Sequence, residues 1–326
     1  MADPPVFAFL CTSIVVLSLL PLSSAADTPS SAQSIRTGEP RHPDFGSIYQ
    51  RGRDLVSPGR KFELGFFSRG SLKNYFLGIW FVVSPETVVW VANKNSPLTD
   101  SNGTLELSNE GELVLLNRSK SVIWSTNSTK VLGNPIAQLL NSGNLVLRER
   151  NSSYAADYSW QSFDYPSDTL LVGMKLGWNF RTGLERHLTS WRSVDDPSPG
   201  GYTFRYKIDG LPQLEIASNG SGKVYRTGPW NGVGFASIAS ELTAVVQSFS
   251  VYNGTYAYLA IETFRDDITA KTILRPDGVA QCLLLKSGSA KWDPIYSTPF
   301  DPCDSYGRCG ANGVCRINES PRCLCL

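Results

Sequence analysis

Apolar and polar residues alternate along most of this chain in runs of roughly four to eight residues, separated by clusters of Gly, Asn, Ser and Asp. A period of two puts successive side chains on opposite faces, so these runs predict half-buried strands and not helices. The pattern also repeats. Gly111-Glu112-Leu113-Val114-Leu115-Leu116 recurs as Gly143-Asn144-Leu145-Val146-Leu147-Arg148, and Val89-Trp90-Val91-Ala92-Asn93 is echoed by Ile123-Trp124-Ser125-Thr126-Asn127. Trp160 continues the tryptophan series, which sets the period at about 32 to 36 residues. One such unit is too small to bury its own apolar face. The pattern therefore predicts three units closed around inward tryptophans, a pseudo-threefold β structure with one groove per unit. Repeated grooves suit recognition better than catalysis.

The second half is again strand-rich, with runs such as Tyr202 to Ile208 and Leu259 to Phe264 between Gly, Pro and Asp turns. A chain of this length exceeds one ordinary core, so two globular domains and a small module are expected. Residues 1–26 read as a secretory leader: Val6 to Leu22 is an uncharged apolar stretch, and Ser24-Ala25-Ala26 supplies small residues for cleavage before Asp27. The leader departs from the usual pattern in having no Lys or Arg at its start. The alternative, an uncleaved membrane anchor, is opposed by Pro21 inside the run. No other apolar run approaches membrane length. The remaining expected segments are 27–153 for the repeat region, 154–298 for a second β domain and 299–326 for a cysteine-rich module. Residues 40–54 break the strand pattern with Pro and charge and read as an exposed loop or insertion.

Cysteines sharpen the compartment. Of seven, five crowd the end of the chain: Cys303, Cys309, Cys315, Cys323 and Cys325. A segment with almost no apolar core needs crosslinks in place of burial. A zinc site is the competing reading, but no His lies near and the C-x-C pair is close for a zinc knuckle. Asn-x-Ser/Thr sequons at Asn102, Asn117, Asn127, Asn151, Asn219, Asn253 and Asn318 fit the same oxidising, extracellular setting. A net charge of +1 argues against nucleic acid as a partner. Catalytic patterns are missing as well: there is no glycine-rich nucleotide loop and no His-Arg-Asp segment. His42 and His187 lack a nucleophile elbow, the adjacent Asp195-Asp196 precede a Pro-Ser-Pro-Gly turn signal and do not make a facing acid pair, and nothing calls for a metal or another cofactor.

Six segments together carry a family resemblance: Phe62-Glu63-Leu64-Gly65-Phe66-Phe67, Leu77-Gly78-Ile79-Trp80, Val88-Val89-Trp90-Val91-Ala92-Asn93, Trp160-Gln161-Ser162-Phe163-Asp164-Tyr165-Pro166-Ser167-Asp168-Thr169-Leu170, Leu188-Thr189-Ser190-Trp191 and Gly228-Pro229-Trp230-Asn231-Gly232. The chain resembles the plant S-locus glycoproteins and the ectodomains of S-domain (G-type lectin) receptor-like serine/threonine kinases. The resemblance implies an all-β architecture: tandem bulb-type lectin domains of the β-prism II kind, followed by a partial, disulfide-stapled EGF-like module. In EGF-like modules the first cysteine pairs with the third and the second with the fourth, which implies Cys303 with Cys315, Cys309 with Cys323, and Cys325 left without its partner. The chain is expected to be a truncated product. The implied role is extracellular recognition, of pollen in self-incompatibility or in related cell-surface signalling. Implied partners are a protein or peptide ligand, a glycan, and a second receptor copy.

Bulb-type domains resemble monocot mannose-binding lectins, whose Gln-x-Asp-x-Asn-x-Val-x-Tyr motif presents every second side chain to the sugar from one strand. Here the register gives Ser108, Glu110, Glu112, Val114 and Leu116 in one unit, and Leu140, Ser142, Asn144, Val146 and Arg148 in the next. Carried back one unit, it gives Tyr75, Leu77, Ile79, Phe81 and Val83. Glu110, Glu112 and Asn144 are thus the remnants of a sugar site, and a degenerate site is the expectation.

Overall fold

A computed structural model describes residues 34–36, 55–70, 73–152, 158–220, 222–235 and 245–325. The expected leader and the whole of segment 40–54 lie outside the described residues. Within them the chain is built from strands and short turns, and no helix is long and apolar enough to cross a membrane.

Three antiparallel sheets form the first unit. One has the order β2 (Leu55–Val56), β3 (Phe62–Ser68), β4 (Tyr75–Phe81), β5 (Ser84–Val91). The next runs β1 (Ser34–Arg36), β6 (Thr104–Leu107), β7 (Leu113–Leu116), β8 (Val122–Ser125). The third runs β9 (Pro135–Leu139), β10 (Leu145–Glu149), β11 (Trp160–Gln161). Because β11 pairs with β10 through Leu147 and Trp160, strand pairing of this unit continues past residue 153, the expected boundary.

The sequence repeat is a structural repeat. In each sheet one tryptophan lies opposite an aliphatic residue: Trp90 faces Ile79, Trp124 faces Leu115 and Trp160 faces Leu147. The three indoles meet edge to face, with centroids 5.9 to 6.0 Å apart in every pair. Two residues ahead of each aliphatic partner, a buried leucine N–H donates to a side chain that follows the tryptophan: Leu77 to Asn93 Oδ1 at 2.8 Å, Leu113 to Thr126 Oγ1 at 3.2 Å, Leu145 to Ser162 Oγ at 2.9 Å. Each sheet therefore ends with its inner backbone group satisfied at the threefold axis. Gly111 and Gly143, in the equivalent hairpin turns, both have left-handed φ, 89° and 86°. That conformation explains why the repeat begins with glycine.

Three four-stranded sheets make the second unit. Their orders are β12 (Thr169–Leu171), β21 (Ile268–Leu274), β22 (Ala280–Lys286), β23 (Asp293–Thr298); β14 (Leu184–Arg186), β13 (Leu176–Asn179), β20 (Tyr256–Thr263), β19 (Val246–Tyr252); and β15 (Leu188–Ser193), β16 (Asp196–Lys207), β17 (Gln213–Ser218), β18 (Gly222–Arg226). Tyr225 opposite Ile216 and Tyr296 opposite Cys282 take the tryptophan positions, and Leu214 N–H donates to Thr227 Oγ1 at 3.0 Å as in the first unit. The turn signalled at Asp195 to Gly200 is placed differently: the turn is Val194-Asp195, and Pro197 to Gly200 lie inside β16. Register shifts opposite Trp191 accommodate those prolines.

The tail carries disulfides Cys303–Cys315 and Cys309–Cys323 around the ribbon β24 (Gly313–Cys315), β25 (Cys323–Cys325). It docks on β18 through Tyr306, whose N–H donates to Val224 O at 2.7 Å and whose ring lies 5.0 Å from the Arg226 guanidinium. Cys282 is free and buried; Cys325 is free and exposed.

Candidate functional site

The three outer faces of the first unit are where sugar ligands would sit, and they have diverged in three different ways. On all three sheets the inward residues are known from the core: Leu77, Leu113 and Leu145. The residue before each leucine and those at every second position after it face outward. The outward sets are Phe76, Gly78 and Trp80; Glu112, Val114 and Leu116; and Asn144, Val146 and Arg148.

On the third sheet Asn144 is only 5% exposed, and its carboxamide makes three hydrogen bonds. Its Nδ2 donates to Gln161 Oε1 at 2.9 Å, while its Oδ1 accepts from Ser162 Oγ and from Phe163 N, each at 3.2 Å. Gln161 Nε2 donates onward to Asp164 Oδ1 at 3.1 Å, and Asp164 is held by the buried Arg186 of the second unit at 2.7 Å. Val146 is fully buried. Arg148, standing where the motif has Tyr, pairs with Gln138 Oε1 at 2.8 Å. Asn144 is a strut in a network that joins the two units; its oxygen already accepts twice, and the one Nδ2 hydrogen left over belongs to a buried side chain.

The second sheet keeps an open face. Glu110 is exposed, and hydrogen bonds from Ser108 and from its own backbone hold its carboxyl below the usual range. Glu112 is half-buried and its N–H donates to Ser108 Oγ at 3.2 Å. Ser108 N also donates to Glu112 O at 2.8 Å, closing a hairpin turn, so the motif spans two strands and the turn between them. The single-strand geometry read from the spacing is corrected: Ser108 and Glu110 belong to the turn. Ionised carboxylates accept but do not donate, whereas a sugar hydroxyl needs both.

The first sheet is closed. The register Tyr75, Leu77, Ile79, Phe81, Val83 is also corrected, because Leu77, Ile79 and Phe81 lie in the central core. The outward residues Phe76 and Trp80 instead form a separate buried cluster with Phe67, Val88 and Val91, capped by Trp191 from the second unit. Gly78 stands where the other sheets have Val, because a Cβ there would lie 2.6 Å from the Phe67 ring and 2.9 Å from Trp90 O. Arg69 covers Trp191 with its guanidinium 5.1 Å from the ring.

Between the units lies a buried charge cluster that motif reasoning did not single out. Asp168 is 4% exposed and accepts from Thr169 Oγ1 at 3.0 Å. Burial pushes its carboxyl up to about 7, against the opposing pull of Lys271 and Lys94. Lys271, itself lowered to about 8 by burial, lies 4.3 Å from the Trp292 ring, and Lys94 donates to Pro166 O at 2.9 Å. His187 is lowered to about 4 by burial and by Arg205, so it is neutral at physiological pH. It sits 3.9 Å from Glu185, with no nucleophile in the constellation. All seven sequon asparagines lie outside strands; Asn117 is half-buried and the other six are exposed. Among the described residues no group of His, Cys, Asp and Glu is arranged to hold a metal.

Sequence comparisons agree with this architecture. A family model described as D-mannose binding lectin matches residues 87–192, and one described as S-locus glycoprotein domain matches residues 225–326. The chain is 39% identical over 330 residues to S-locus-specific glycoprotein S6 of Brassica oleracea, covering 98% of this chain and 71% of that protein. It is 40% identical over 319 residues to S-locus-specific glycoprotein BS29-2 of Brassica oleracea var. alboglabra, covering 95% and 69%. It is 39% identical over 277 residues to receptor-like serine/threonine-protein kinase SD1-8 of Arabidopsis thaliana, covering 83% of this chain and 32% of the kinase. The chain thus spans about a third of the kinase relative and about 70% of the glycoproteins.

Proposed function

The chain belongs to the S-locus glycoprotein family, and from that premise we propose that it is an extracellular recognition module whose lectin faces serve as scaffold while a protein or peptide ligand is the target. Its location outside the cell is that of its family. The observation that carries the reading is the fate of the three sugar faces. One is covered by Trp191, one has its amide committed to a strut, and the open one has Glu112, an acceptor, where the motif has an amide that also donates. A mannose bound there would leave hydroxyls desolvated and unpaired, at roughly 1–3 kcal/mol each. Sequons fall outside the strands in both units, which leaves the sheet edges as peptide-accessible surface. The cysteine tail acts as an EGF-like spacer, and the role is non-enzymatic. Recognition of pollen, or related cell-surface signalling, is the process this reading favours, with dimerisation of receptor ectodomains as its output.

The test uses the secreted chain after enzymatic deglycosylation, immobilised and exposed to fractionated pollen-coat peptides with and without excess free mannose. The reading expects saturable peptide binding that mannose does not displace. Retention that mannose abolishes would replace it with a working lectin.

A further inference from the structure

The two units differ at their axes. In the first, three indoles fill the centre; in the second, tyrosines stand at two tryptophan positions, Tyr225 and Tyr296. A tyrosine ring is smaller than an indole, and close packing elsewhere in a core does not collapse to fill such a deficit completely. A cavity of about 100 Å³ lies beside one of these tyrosines, Tyr296.

All three sheets of the second unit contribute to its wall. Leu170 and Cys282 come from one, Leu259 from the next, Phe204 and Leu214 from the third, and the loop residues Val233 to Phe235 form a side. Val233 is 79% exposed, so the cavity reaches the surface beside it. A sealed packing defect has no such mouth. The wall is mostly apolar, with a few neutral polar groups: the Cys282 thiol and the hydroxyls of Ser248, Thr272 and Tyr296 among them. Among the described residues no Asp, Glu, Lys or Arg lines it.

We propose that this axial cavity is a binding pocket for a compact, uncharged, largely apolar molecule, such as a small aromatic carrying at most one hydroxyl. Size sets the class: an apolar cavity of about 150 Å³ in another protein stays dry and takes up benzene or xenon, and this one is about two thirds as large. A charged ligand is disfavoured, because none of the described lining residues offers a counter-charge and an unpaired ion in such a site is strongly penalised. Burial keeps the wall itself neutral, raising Cys282 to about 11 and Tyr296 to about 12. The site lies in the other unit from the lectin faces, so its occupancy is independent of whether those faces bind sugar.

Crystals of the full chain under xenon pressure test the pocket directly, and calorimetric titration with benzene, phenol and benzoate tests the ligand class. The expected results are one xenon atom among Leu170, Leu214 and Leu259, millimolar or tighter binding of benzene and phenol, and no binding of benzoate. Two filling variants, Cys282→Met and Ser248→Val, should each weaken benzene at least tenfold. Where a variant fails to fold, the xenon position in the unaltered chain decides. An empty cavity under xenon with no benzene heat overturns the proposal. So does benzene binding that both folded variants leave unchanged.

Discussion

Replacing Asn144 by alanine separates a sugar ligand from a structural strut. The carboxamide satisfies three neighbours: Gln161 Oε1, the Ser162 hydroxyl and the Phe163 N–H. Truncation strands an acceptor and a backbone donor, and deprives the Ser162 hydroxyl of its acceptor. A buried unsatisfied group costs about 1–3 kcal/mol. Ser162 keeps its bond from Leu145 N and Phe163 is half-buried, so the lower end applies and the total comes to about 3 kcal/mol. At about 2–4 °C per kcal/mol for domains of this size, the melting temperature should fall by roughly 6–12 °C. Asn144→Asp keeps the acceptor for Ser162 and Phe163 but loses the donor to Gln161. Gln161 can compensate only by turning Oε1 against Asp164, its present acceptor, so a loss of about 1–2 kcal/mol is expected. Urea unfolding followed by tryptophan fluorescence, on the secreted chain, measures both. A loss below about 0.5 kcal/mol for the alanine variant would refute the strut.

Other consequences follow from the unit junction and the tail. Asp168 has a folded value near 7, above its ordinary 3.8, so the stability it contributes is present at low pH and lost as pH rises from about 4 to 7. Asp168→Asn should remove that loss and raise stability at pH 7.5 relative to pH 5 by on the order of 2 kcal/mol against the unaltered chain; an unchanged pH profile would contradict the assignment. His187 works in the opposite direction, its folded value of about 4 costing stability as pH falls from 6.5, and His187→Gln should flatten the acid limb of the same profile. Trp191→Ala uncaps the Phe76 and Trp80 cluster, so a cost of about 3–5 kcal/mol and new protease cleavage between the units are expected, whereas a neutral outcome would mean the cap carries no interface. Native alkylation should label Cys325 and spare Cys282 until unfolding, and non-reducing peptide maps should return Cys303–Cys315 and Cys309–Cys323; a Cys282–Cys325 link would overturn the tail's placement.

Much of the first unit was legible because its physics is local and repeated. An alternating run and an inward tryptophan recur in all three sheets, and a glycine that must adopt left-handed φ recurs in the second and third. The sugar faces were only partly legible. Glu112 and Asn144 occupy equivalent outward positions, but the first sheet falls three residues out of the register carried back by spacing: Leu77 and Ile79 stand where Leu113 and Leu115 do, so Gly78 and not Phe81 matches Val114. What Asn144 touches was not readable at all, since Gln161, Asp164 and Arg186 approach it from later segments. The same holds for Trp191 and Asp168: both stand in motifs that resemble the family's, yet their work is at a junction that appears only when two units are packed. Pro197 and Pro199 were misleading for a related reason. Proline ordinarily marks a turn, but a long strand with register shifts accommodates it.

The measurement that tests the central claim most directly is calorimetric titration of the deglycosylated, secreted chain with mannose and a mannobiose. With one face capped by Trp191, one amide committed and the last face carrying Glu112 where the motif has its amide, free mannose should bind more weakly than roughly 1 mM, about −4 kcal/mol. A dissociation constant well below 1 mM, lost on Glu112→Gln with stability unchanged, would contradict the account and identify the open face of the second sheet as a working sugar site.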